Sequence, residues 1–399
     1  MSSLAANAMA GLKCNVCGEA LGSPIYDAGH DRALTSLCER RAGRTRVWSC
    51  ASCAHLRGEE LADTAAYYAS GYRILLDQDD EDQIYETRDD HIVYRTQHQV
   101  EVLQKKLTLP AGSRLLDYGC AKASTPRALL SSRPDLNVHL FDVSTMYERH
   151  WDLFVPASRR AVHETPPEWS ASFDVVTSFF ALEHIPEPRE TVRRIAALLK
   201  DDGVFYAIVP DTFGNPADLI VIDHVNHFTG PSIHHLLRDA GFSQIEVDSG
   251  AHRGAHVVRA SRGGQPTSAP AVPRVLVQSA ELARFWSTLA SRIRHAESAL
   301  GPHRAGATDV AIYGSGFYGA YIASTLRTPG RLRCFLDRSP FQQGKTLFET
   351  PILAPEALPE GVRTVFVGLS PRIAREVMAG AKWVQERSVH LVFIDEAEV

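Results

Sequence analysis

The sequence predicts an α/β protein with two doubly wound parallel sheets and a small cysteine-rich lobe in front of them. Two turns rich in glycine and alanine, each between a buried apolar strand and a helix, predict the two sheets. Two Cys-x-x-Cys pairs predict the lobe. We expect a lobe over residues 1–65, a first α/β domain with a helical lead-in over 66–260, a linker over 261–275 and a second α/β domain over 276–399.

Length and composition are those of a multidomain globular protein. The 399 residues suffice for two or three hydrophobic cores, and 44% hydrophobic with 22% charged residues is ordinary for such a chain. The net charge of −5 provides no overall basic field for nucleic acid or an anionic membrane. Residues 1–11 lack a signal-peptide pattern, and no run of about 18 apolar residues follows. We therefore expect a cytoplasmic protein without a membrane span or nucleic-acid partner; the sequence indicates no oligomeric state.

Two cysteine knuckles near the N-terminus predict a structural zinc site. Four thiolates complete a tetrahedral zinc site without an open position for chemistry. Cys38, His30 and His55 are nearby alternatives as ligands. A zinc ribbon that binds nucleic acid is another interpretation, and it predicts strongly salt-dependent retention on RNA or DNA. The four predicted ligands are Cys14, Cys17, Cys50 and Cys53.

The first α/β domain is organised around residues 114–130. A short apolar run ends in Asp117, a loop that contains Gly119 and Ala121 follows, and a helix begins near Thr125. Such a turn lies at the carboxyl edge of a sheet, where ligands bind and free backbone N–H groups face them. The small side chains let a ligand approach the backbone, and Asp117 is placed to anchor the ligand or to brace the loop.

Two later segments support a nucleotide-containing ligand at this edge. Residues 137–143 predict a strand that ends in Asp142, about 25 residues after Asp117, where doubly wound folds place the carboxylate that binds ribose hydroxyls. Residues 172–186 supply a buried strand that begins Phe-Asp and is followed by Glu-His-Ile-Pro.

Together these segments resemble the class I S-adenosylmethionine-dependent methyltransferases. Their usual pattern is an acid-x-Gly-x-Gly loop, a ribose acid and a Phe-Asp strand followed by Glu-His-Ile-Pro. The resemblance covers residues 90 to 260, and Ala121 and Ala123 depart from the glycines of the pattern. It implies an S-adenosylmethionine site formed by Asp117, Gly119, Ala121, Asp142 and Phe180.

Several histidines lie where the methyl acceptor is expected. His184 follows the third predicted strand, and His224, Asn226 and His227 lie in the loop before a predicted helix at 231–239. A histidine suits general-base catalysis near neutral pH, although a lone histidine is more often structural.

The chain is similar over nearly its full length to the three-domain sugar C-methyltransferases. In that family a histidine and a Tyr-x-Glu-His cluster surround the sugar. His184 and His227 match the two histidines, whereas His224 stands at the tyrosine and Asn226 at the glutamate. The resemblance implies His227 as the first candidate base and His184 as the second. Among the tyrosines before the first sheet, we expect Tyr72 to contact the substrate.

The last domain opens with Gly314-x-Gly316-x-x-Gly319 between a strand and a helix, and Asp337 follows about 20 residues on. This pattern alone predicts a dinucleotide fold and a nicotinamide enzyme. The Asp-x-Ser-Pro at 337–340 and the Gln-Gly at 343–344 instead resemble the C-terminal domain of the sugar C-methyltransferases. That resemblance implies contact with a nucleotide sugar at Gly314, Gly316 and Asp337; the alternative is a degenerate lobe that serves only packing.

The sequence therefore predicts a methyltransferase that uses S-adenosylmethionine, contains structural Zn²⁺ and acts on a nucleotide-linked sugar by C- or O-methylation. An O-methyltransferase that acts on a glycan end and a nicotinamide-dependent oxidoreductase are the alternatives.

Overall fold

The structure is a computed structural model that describes residues 11–64, 67, 68, 82–88, 91–304 and 308–395. The described residues fall into two compact units. The first contains the described parts of Met1–Ser23, Trp48–Leu219 and His224–Ser279, and the second those of Pro24–Val47, Ile220–Asp223 and Ala280–Val399. None of the described helices is long and apolar enough to cross a membrane.

The units interleave along the chain, whereas the boundaries expected from the sequence follow it linearly. The segment Pro24–Val47 lies between the two Cys-x-x-Cys pairs and belongs to the second unit. The sulfur atoms of the two cysteine pairs lie close together, so the chain returns after this segment to the point where it left the first unit. The sequence composition does not indicate that the segment belongs to the second unit. The linear boundaries at 65, 260 and 275 stay predictions.

The helices and strands are labelled here in chain order. Before residue 95 they are β1 (Tyr26–Asp27), β2 (Arg32–Leu34), β3 (Arg40–Ala42), β4 (Arg46–Ser49), β5 (Leu56–Gly58), β6 (Ile84–Arg88) and β7 (His91–Tyr94). From there to residue 261 they are α1 (Arg95–Lys106), β8 (Arg114–Tyr118), α2 (Ser124–Ser132), β9 (Asn137–Asp142), α3 (Glu148–Trp151), β10 (Arg160–Val162), β11 (Phe173–Phe179), α4 (Pro188–Leu198), β12 (Leu199–Pro210), β13 (Asn226–His227), α5 (Gly230–Asp239), β14 (Gln244–His252) and β15 (Ala255–Ser261). The remainder are α6 (Val272–Ala299), β16 (Val310–Tyr313), α7 (Phe317–Thr325), β17 (Leu332–Leu336), β18 (Thr346–Leu347), β19 (Thr350–Leu353), β20 (Thr364–Val367), α8 (Pro371–Ala379), α9 (Lys382–Glu386) and β21 (His390–Phe393).

The first unit is built on a seven-stranded sheet in the order β10-β9-β8-β11-β12-β15-β14. The strands from β10 to β12 are parallel, and β15 and β14 extend the sheet antiparallel. Strand β8 lies between β9 and β11: the chain continues from β8 to β9 and β10 on one side and then returns to β11 and β12 on the other. This is the switch point at which ligands bind in open α/β sheets.

Alternate residues of the central strands face two different cores. Leu116 and Val176 pack in one core with apolar side chains of α4 and α5. Leu115 and Val175 pack in the other core with side chains of α1 and α2. Because both faces are covered, the strands read as continuous apolar runs. The predicted doubly wound fold is confirmed.

The lead-in to the first sheet, expected to be helical, contains two strands before its helix. Residues 91–94 form β7, which pairs antiparallel with β6, and the helix α1 begins only at Arg95. The run His-Ile-Val-Tyr contains β-branched and aromatic residues, which favour a strand once a partner strand is present. Apolar spacing alone did not reveal that partner.

The second unit contains a six-stranded sheet in the order β18-β19-β17-β16-β20-β21. Strands β19, β17, β16, β20 and β21 are parallel, and β16 lies at the switch point between β17 and β20. The glycine-rich turn follows β16 directly and leads into α7. The second predicted α/β sheet is therefore also confirmed.

Candidate active site

The loop after β8 folds tightly against the end of the sheet. Gly119 has a φ of 74°, and a Cβ atom there would lie 2.7 Å from the Cβ of Ala181. Ala121 and Ala123 also have positive φ angles, of 45° and 56°. The two alanines thus adopt the left-handed conformation in which glycine carries no steric penalty. The loop keeps its backbone conformation in spite of the missing glycines.

The two acids expected at the donor site lie at the ends of neighbouring strands. Asp142 accepts hydrogen bonds from the backbone N–H groups of Ala121 at 2.8 Å and Ser144 at 2.9 Å. Burial raises the pKa of Asp142, against the effect of these bonds. Asp117 accepts from the hydroxyl of Thr177 at 2.8 Å, and burial raises its pKa to about 7. Asp142 therefore braces the loop, and both carboxyl groups lie beside it.

Aromatic side chains contribute to the same edge of the sheet. Phe180 follows β11 with a φ of 52°, and the guanidinium of Arg95 lies 3.9 Å from the centre of its ring. The indole Nε1 of Trp151 donates to the carbonyl oxygen of Ala121 at 2.7 Å. The sequence indicated Phe180 but neither Arg95 nor Trp151, because both come from other helices.

Three histidines and two acids gather beyond the ends of β11 and β12. The carboxylate of Asp218 accepts from Nδ1 of His224 at 2.6 Å and from Nδ1 of His227 at 3.0 Å. The hydroxyl of Thr212 donates to it at 2.7 Å. Burial opposes ionisation of Asp218, but the electrostatic interaction with His227 and the hydrogen bonds of both histidines outweigh it and hold the pKa of this carboxyl well below its usual range. Asp218 thereby fixes hydrogen on Nδ1 of both rings.

The histidines differ in their access to solvent. His184 and His224 keep 9% and 7% of their surface exposed, whereas His227 keeps none. The rings of His184 and His224 contact each other edge to face, with centroids 4.7 Å apart. Nε2 of His227 is buried and has no hydrogen-bond partner among the residues described. His227 thus offers a lone pair that Asp218 orients from behind.

Glu183 and Tyr68 join this cluster from the segment after β11 and from the lead-in. The hydroxyl of Tyr68 lies 2.9 Å from Nδ1 of His184. Glu183 is almost completely buried, and burial raises its pKa to about 7. In the sequence, Glu183 stands out only as part of the Glu-His-Ile-Pro motif, and Asp218 does not stand out at all. An isolated acid six positions before His224 carries no spacing signal.

Asn226 was expected among the catalytic residues, but its amide is fully occupied within the protein. Its Nδ2 donates to the carbonyl oxygens of Leu182 at 2.8 Å and Ile185 at 2.7 Å. Its Oδ1 accepts from Nδ2 of Asn15 at 2.7 Å and lies 3.3 Å from Nε2 of His55. Asn226 therefore positions the Glu183–His184 segment. His55 contacts the same amide and therefore belongs to the same set of contacts, which we call the Asn226 bracket.

Replacing Asn15 tests this bracket. Nδ2 of Asn15 also donates to the carbonyl oxygen of Pro186 at 3.1 Å, so Asn15→Ala removes one hydrogen bond to Pro186 and one to Asn226. We expect acceptor turnover to fall by about tenfold and S-adenosylhomocysteine affinity to stay within about twofold. Steady-state kinetics and calorimetry measure the two quantities. Exposed Glu19, beside the same knuckle, provides the control Glu19→Ala; equal losses in both quantities would contradict the bracket.

The four cysteines of the two knuckles converge. The sulfur atoms of Cys14 and Cys53 lie 3.7 Å apart and those of Cys17 and Cys50 lie 3.3 Å apart, and all four fall within 4.8 Å of one another. A tetrahedral Zn²⁺ with Zn–S bonds of about 2.3 Å separates its sulfurs by about 3.8 Å. The donor set and its spacing fit such an ion, with little adjustment at one pair.

In the second unit, the glycines of the turn after β16 have different surroundings. A Cβ atom at Gly319 would lie 2.0 Å from the carbonyl oxygen of Gly314, and one at Gly314 would lie 2.6 Å from that of Gly368. A Cβ atom at Gly316 would meet nothing within 4 Å. Asp337 accepts from the backbone N–H and the hydroxyl of Ser315, at 2.9 and 2.6 Å. Packing thus requires two of the glycines but not Gly316.

One expected substrate contact cannot be placed. Tyr72 lies outside the residues that the structure describes. The remaining predicted site residues fall into four groups in the structure: the cysteine cluster, the loop after β8 with the neighbouring strand ends, the histidine cluster and the glycine turn of the second unit.

The comparisons with known proteins concern the first α/β sheet. Residues 90–247 match a family described as a methyltransferase domain. The ubiquinone biosynthesis O-methyltransferase of Xanthomonas axonopodis pv. citri is 33% identical over 102 residues, which are 24% of this chain and 43% of that protein. The enzyme of the same name from Xanthomonas oryzae pv. oryzae (strain PXO99A) is 33% identical over 101 residues, 24% of this chain and 42% of that protein. The chain spans less than half the length of these curated relatives.

The solved structures to which the chain is similar are more distant in sequence. An O-methyltransferase family protein from Burkholderia thailandensis is 18% identical, with 42% of this chain and 56% of that chain covered and a TM-score of 0.35. Human N-acetylserotonin methyltransferase is 15% identical, with coverage of 42% and 52% and a TM-score of 0.35. With its family match, its doubly wound sheet and the acids at the ends of β8 and β9, the segment 90–247 is a class I S-adenosylmethionine-dependent methyltransferase domain.

Proposed function

We propose that the whole chain transfers the methyl group of S-adenosylmethionine to a sugar, and that its substrate is a nucleotide-linked sugar. The observation that carries the methyl-transfer part is the domain match over residues 90–247 together with the acid-braced loop at its switch point. The sugar part rests on the resemblance to the sugar C-methyltransferases and on the second α/β unit. Free nucleotide sugars are cytoplasmic metabolites, so we propose that location as well.

In this proposal the donor lies along the loop after β8. Asp142 accepts hydrogen bonds from the ribose hydroxyls, and the backbone at Gly119 and Ala121 contacts the amino acid part of the donor. Asp117 is held at the end of β8 by the hydroxyl of Thr177 and lies beside the donor, and Phe180 packs against the donor from the end of β11. The positive φ angles of the two alanines support this assignment, because they are the backbone conformation for which the family pattern uses glycine.

The chemistry is a direct displacement at the sulfonium methyl group, so the enzyme aligns the acceptor and removes its proton. We propose His227 as the base, because Asp218 holds hydrogen on Nδ1 and leaves Nε2 to accept the proton. His184 and His224, which keep exposed surface, contact the acceptor. A carbon acceptor next to a keto group also needs its enolate stabilised, whereas a hydroxyl acceptor needs only alignment and a base.

The second unit is proposed to hold the nucleotide part of the substrate. Gly314 and Gly319 are required by packing, which leaves Gly316 as the glycine whose small size serves a ligand. Backbone N–H groups at the start of α7 suit a diphosphate. Asp337 positions Ser315 in the same turn.

Gly316→Ala tests this role without disturbing the fold. We expect an unchanged melting temperature and a KM for the nucleotide sugar raised by about tenfold, since the added methyl group displaces a phosphate from the backbone by more than a hydrogen bond tolerates. Gly330→Ala, also in open space within this unit, is the matched control and should change neither quantity. An unchanged KM in Gly316→Ala would leave the turn with a packing role alone.

We further propose that the four converging cysteines bind structural Zn²⁺. Cys14, Cys17, Cys50 and Cys53 would hold it and close the base of the Pro24–Val47 insertion. A thiolate-bound ion stabilises a small lobe that has little hydrophobic core of its own. Metal analysis of freshly purified protein should find about one zinc per chain; none would contradict this part of the proposal.

O-Methylation of a hydroxyl group is the second candidate reaction. The curated relatives are named O-methyltransferases, and His224 and Asn226 replace the tyrosine and glutamate of the C-methyltransferase pattern. A glycan end is an alternative acceptor for the same chemistry. A nicotinamide-dependent oxidoreductase would instead bind NADH at the turn of the second unit. If titration with NADH showed no binding, this alternative would be excluded.

Mass spectrometry of products tests the proposal. The protein is incubated in deuterated water with S-adenosylmethionine and nucleotide-linked keto and hydroxy sugars. A keto sugar that gains one methyl group and loses a carbon-bound hydrogen would demonstrate C-methylation; a hydroxy sugar methylated without carbon exchange would demonstrate O-methylation. The absence of methylation on every sugar would contradict the proposed substrate class.

A further inference from the structure

Glu183, His184 and His224 bring a carboxylate and two imidazoles together at the acceptor side of the methyltransferase domain. One ligand atom from each lies within 4.8 Å of the other two, and all three side chains are buried. Oε2 of Glu183 has no hydrogen-bond partner among the described residues. Because an isolated buried carboxylate oxygen is costly, a positive charge at this point would stabilise the cluster.

Both histidines are held from behind by another residue. Nδ1 of His224 donates to Asp218 at 2.6 Å, and Nδ1 of His184 lies 2.9 Å from the hydroxyl of Tyr68. Histidines that bind metals commonly bond through one ring nitrogen to a carboxylate or another oxygen, which fixes the direction of the second nitrogen. In both residues Nε2 is therefore the atom that would bind an ion.

A neighbouring group of similar composition is less suited to an ion. Asp218, His224 and His227 also lie within 4.8 Å of one another. However, direct hydrogen bonds at 2.6 and 3.0 Å already pair the carboxylate with both imidazoles, and Thr212 donates to it as well. An ion there would have to replace these bonds, whereas on the Glu183 side it adds a partner to an unpaired oxygen.

We propose that Glu183, His184 and His224 form a second metal site, which binds a divalent first-row transition ion and presents it to the acceptor. Two imidazoles and one carboxylate are a ligand set that such ions accept while leaving positions open. The three residues would occupy part of the coordination sphere, and oxygen atoms of the acceptor would take the open positions. The acceptor part rests on the proposed function; the metal site itself does not.

This site gives a physical reason for the residue at position 224. The family pattern places tyrosine there, which would offer a hydroxyl to the sugar, whereas a histidine offers a metal ligand. A bound ion polarises an acceptor oxygen and can stabilise negative charge on it. His227 stays outside the ligand set and remains able to accept the acceptor's proton.

Titration of the zinc-loaded protein with Co²⁺ tests the site. The Cys₄ site is already filled, so we expect about one further equivalent of Co²⁺ to bind with the weak visible spectrum of a nitrogen- and oxygen-bound ion and without thiolate charge-transfer bands. Glu183→Gln should weaken Co²⁺ binding by at least about tenfold. Glu187→Gln, four residues further on and exposed, is the matched control and should bind as the wild type does.

Two results would overturn the metal site: Co²⁺ that binds only with thiolate bands, or equal Co²⁺ affinity in Glu183→Gln and the wild type. S-Adenosylhomocysteine titrated into Glu183→Gln should bind normally, which shows that the domain is folded. If the protein methylates a sugar but shows no such Co²⁺ site, the metal-site proposal fails and the proposed function stands. If the protein binds Co²⁺ at this site but methylates no sugar, the proposed function fails and the metal site stands.

Discussion

Asp142→Ala is expected to weaken S-adenosylhomocysteine binding by about 100-fold. In the proposed complex the carboxylate accepts two hydrogen bonds from the ribose hydroxyls. The loss of two charge-assisted hydrogen bonds costs about 3 kcal/mol. The substitution also removes the acceptor for the N–H of Ala121, so the loop loses its brace. Isothermal titration calorimetry measures the affinity directly.

Two variants separate the direct and the bracing effect. Asp142→Asn keeps one oxygen that can accept from a backbone N–H, so its loss of affinity should be smaller than that of Asp142→Ala. Asp152→Ala removes an exposed acid that pairs with Arg160 nearby and should bind the ligand normally. An unchanged affinity in Asp142→Ala would remove Asp142 from the ribose role.

His227→Asn is expected to lower kcat by about 100- to 10,000-fold, the usual contribution of a general base. An asparagine amide can still donate to Asp218, so the local hydrogen bonding is partly kept while the base is lost. KM for S-adenosylmethionine should stay the same, because His227 is not among the donor-site residues. Steady-state kinetics with the sugar found by the product screen would measure both constants.

The neighbouring histidine of α5 supplies the control. His235 is exposed on that helix, and His235→Asn should leave kcat unchanged. If His227→Asn retained kcat within about threefold of the wild type, the proton would have to be accepted by another group. In protein without a bound ion, His184 is then the next candidate, since its ring keeps exposed surface in the cluster.

The strand, loop and helix of the proposed donor site could be predicted because the relevant sequence signals are local. A strand, a turn of small residues and a helix follow each other within residues 114–132, and periodicity and small side chains suffice to predict them. Asp142 lies at the end of the next strand, so its distance along the chain is also informative. The left-handed φ angles at Ala121 and Ala123 were not predictable, because they depend on the contacts of the folded loop.

The acceptor cluster was only partly predictable, because its members come from distant parts of the chain. Asp218 lies in a short turn after β12 and Tyr68 in the lead-in, and neither stands in a recognisable motif. Asn226 looked catalytic by its position beside two histidines. Its four hydrogen-bonding contacts, one of them to Asn15 at a sequence separation of 211 residues, appear only in the folded structure.

We propose that the first of the two α/β sheets, and not the second, holds the methyl donor. Ultraviolet irradiation of the protein with S-adenosylmethionine tritiated in its methyl group, followed by peptide mapping, tests this most directly. We predict that the label lies on peptides within residues 114–151, which contain Asp117, Asp142 and Trp151. Label confined to peptides around the Gly314–Gly319 turn would contradict the claim and assign the donor to the second unit.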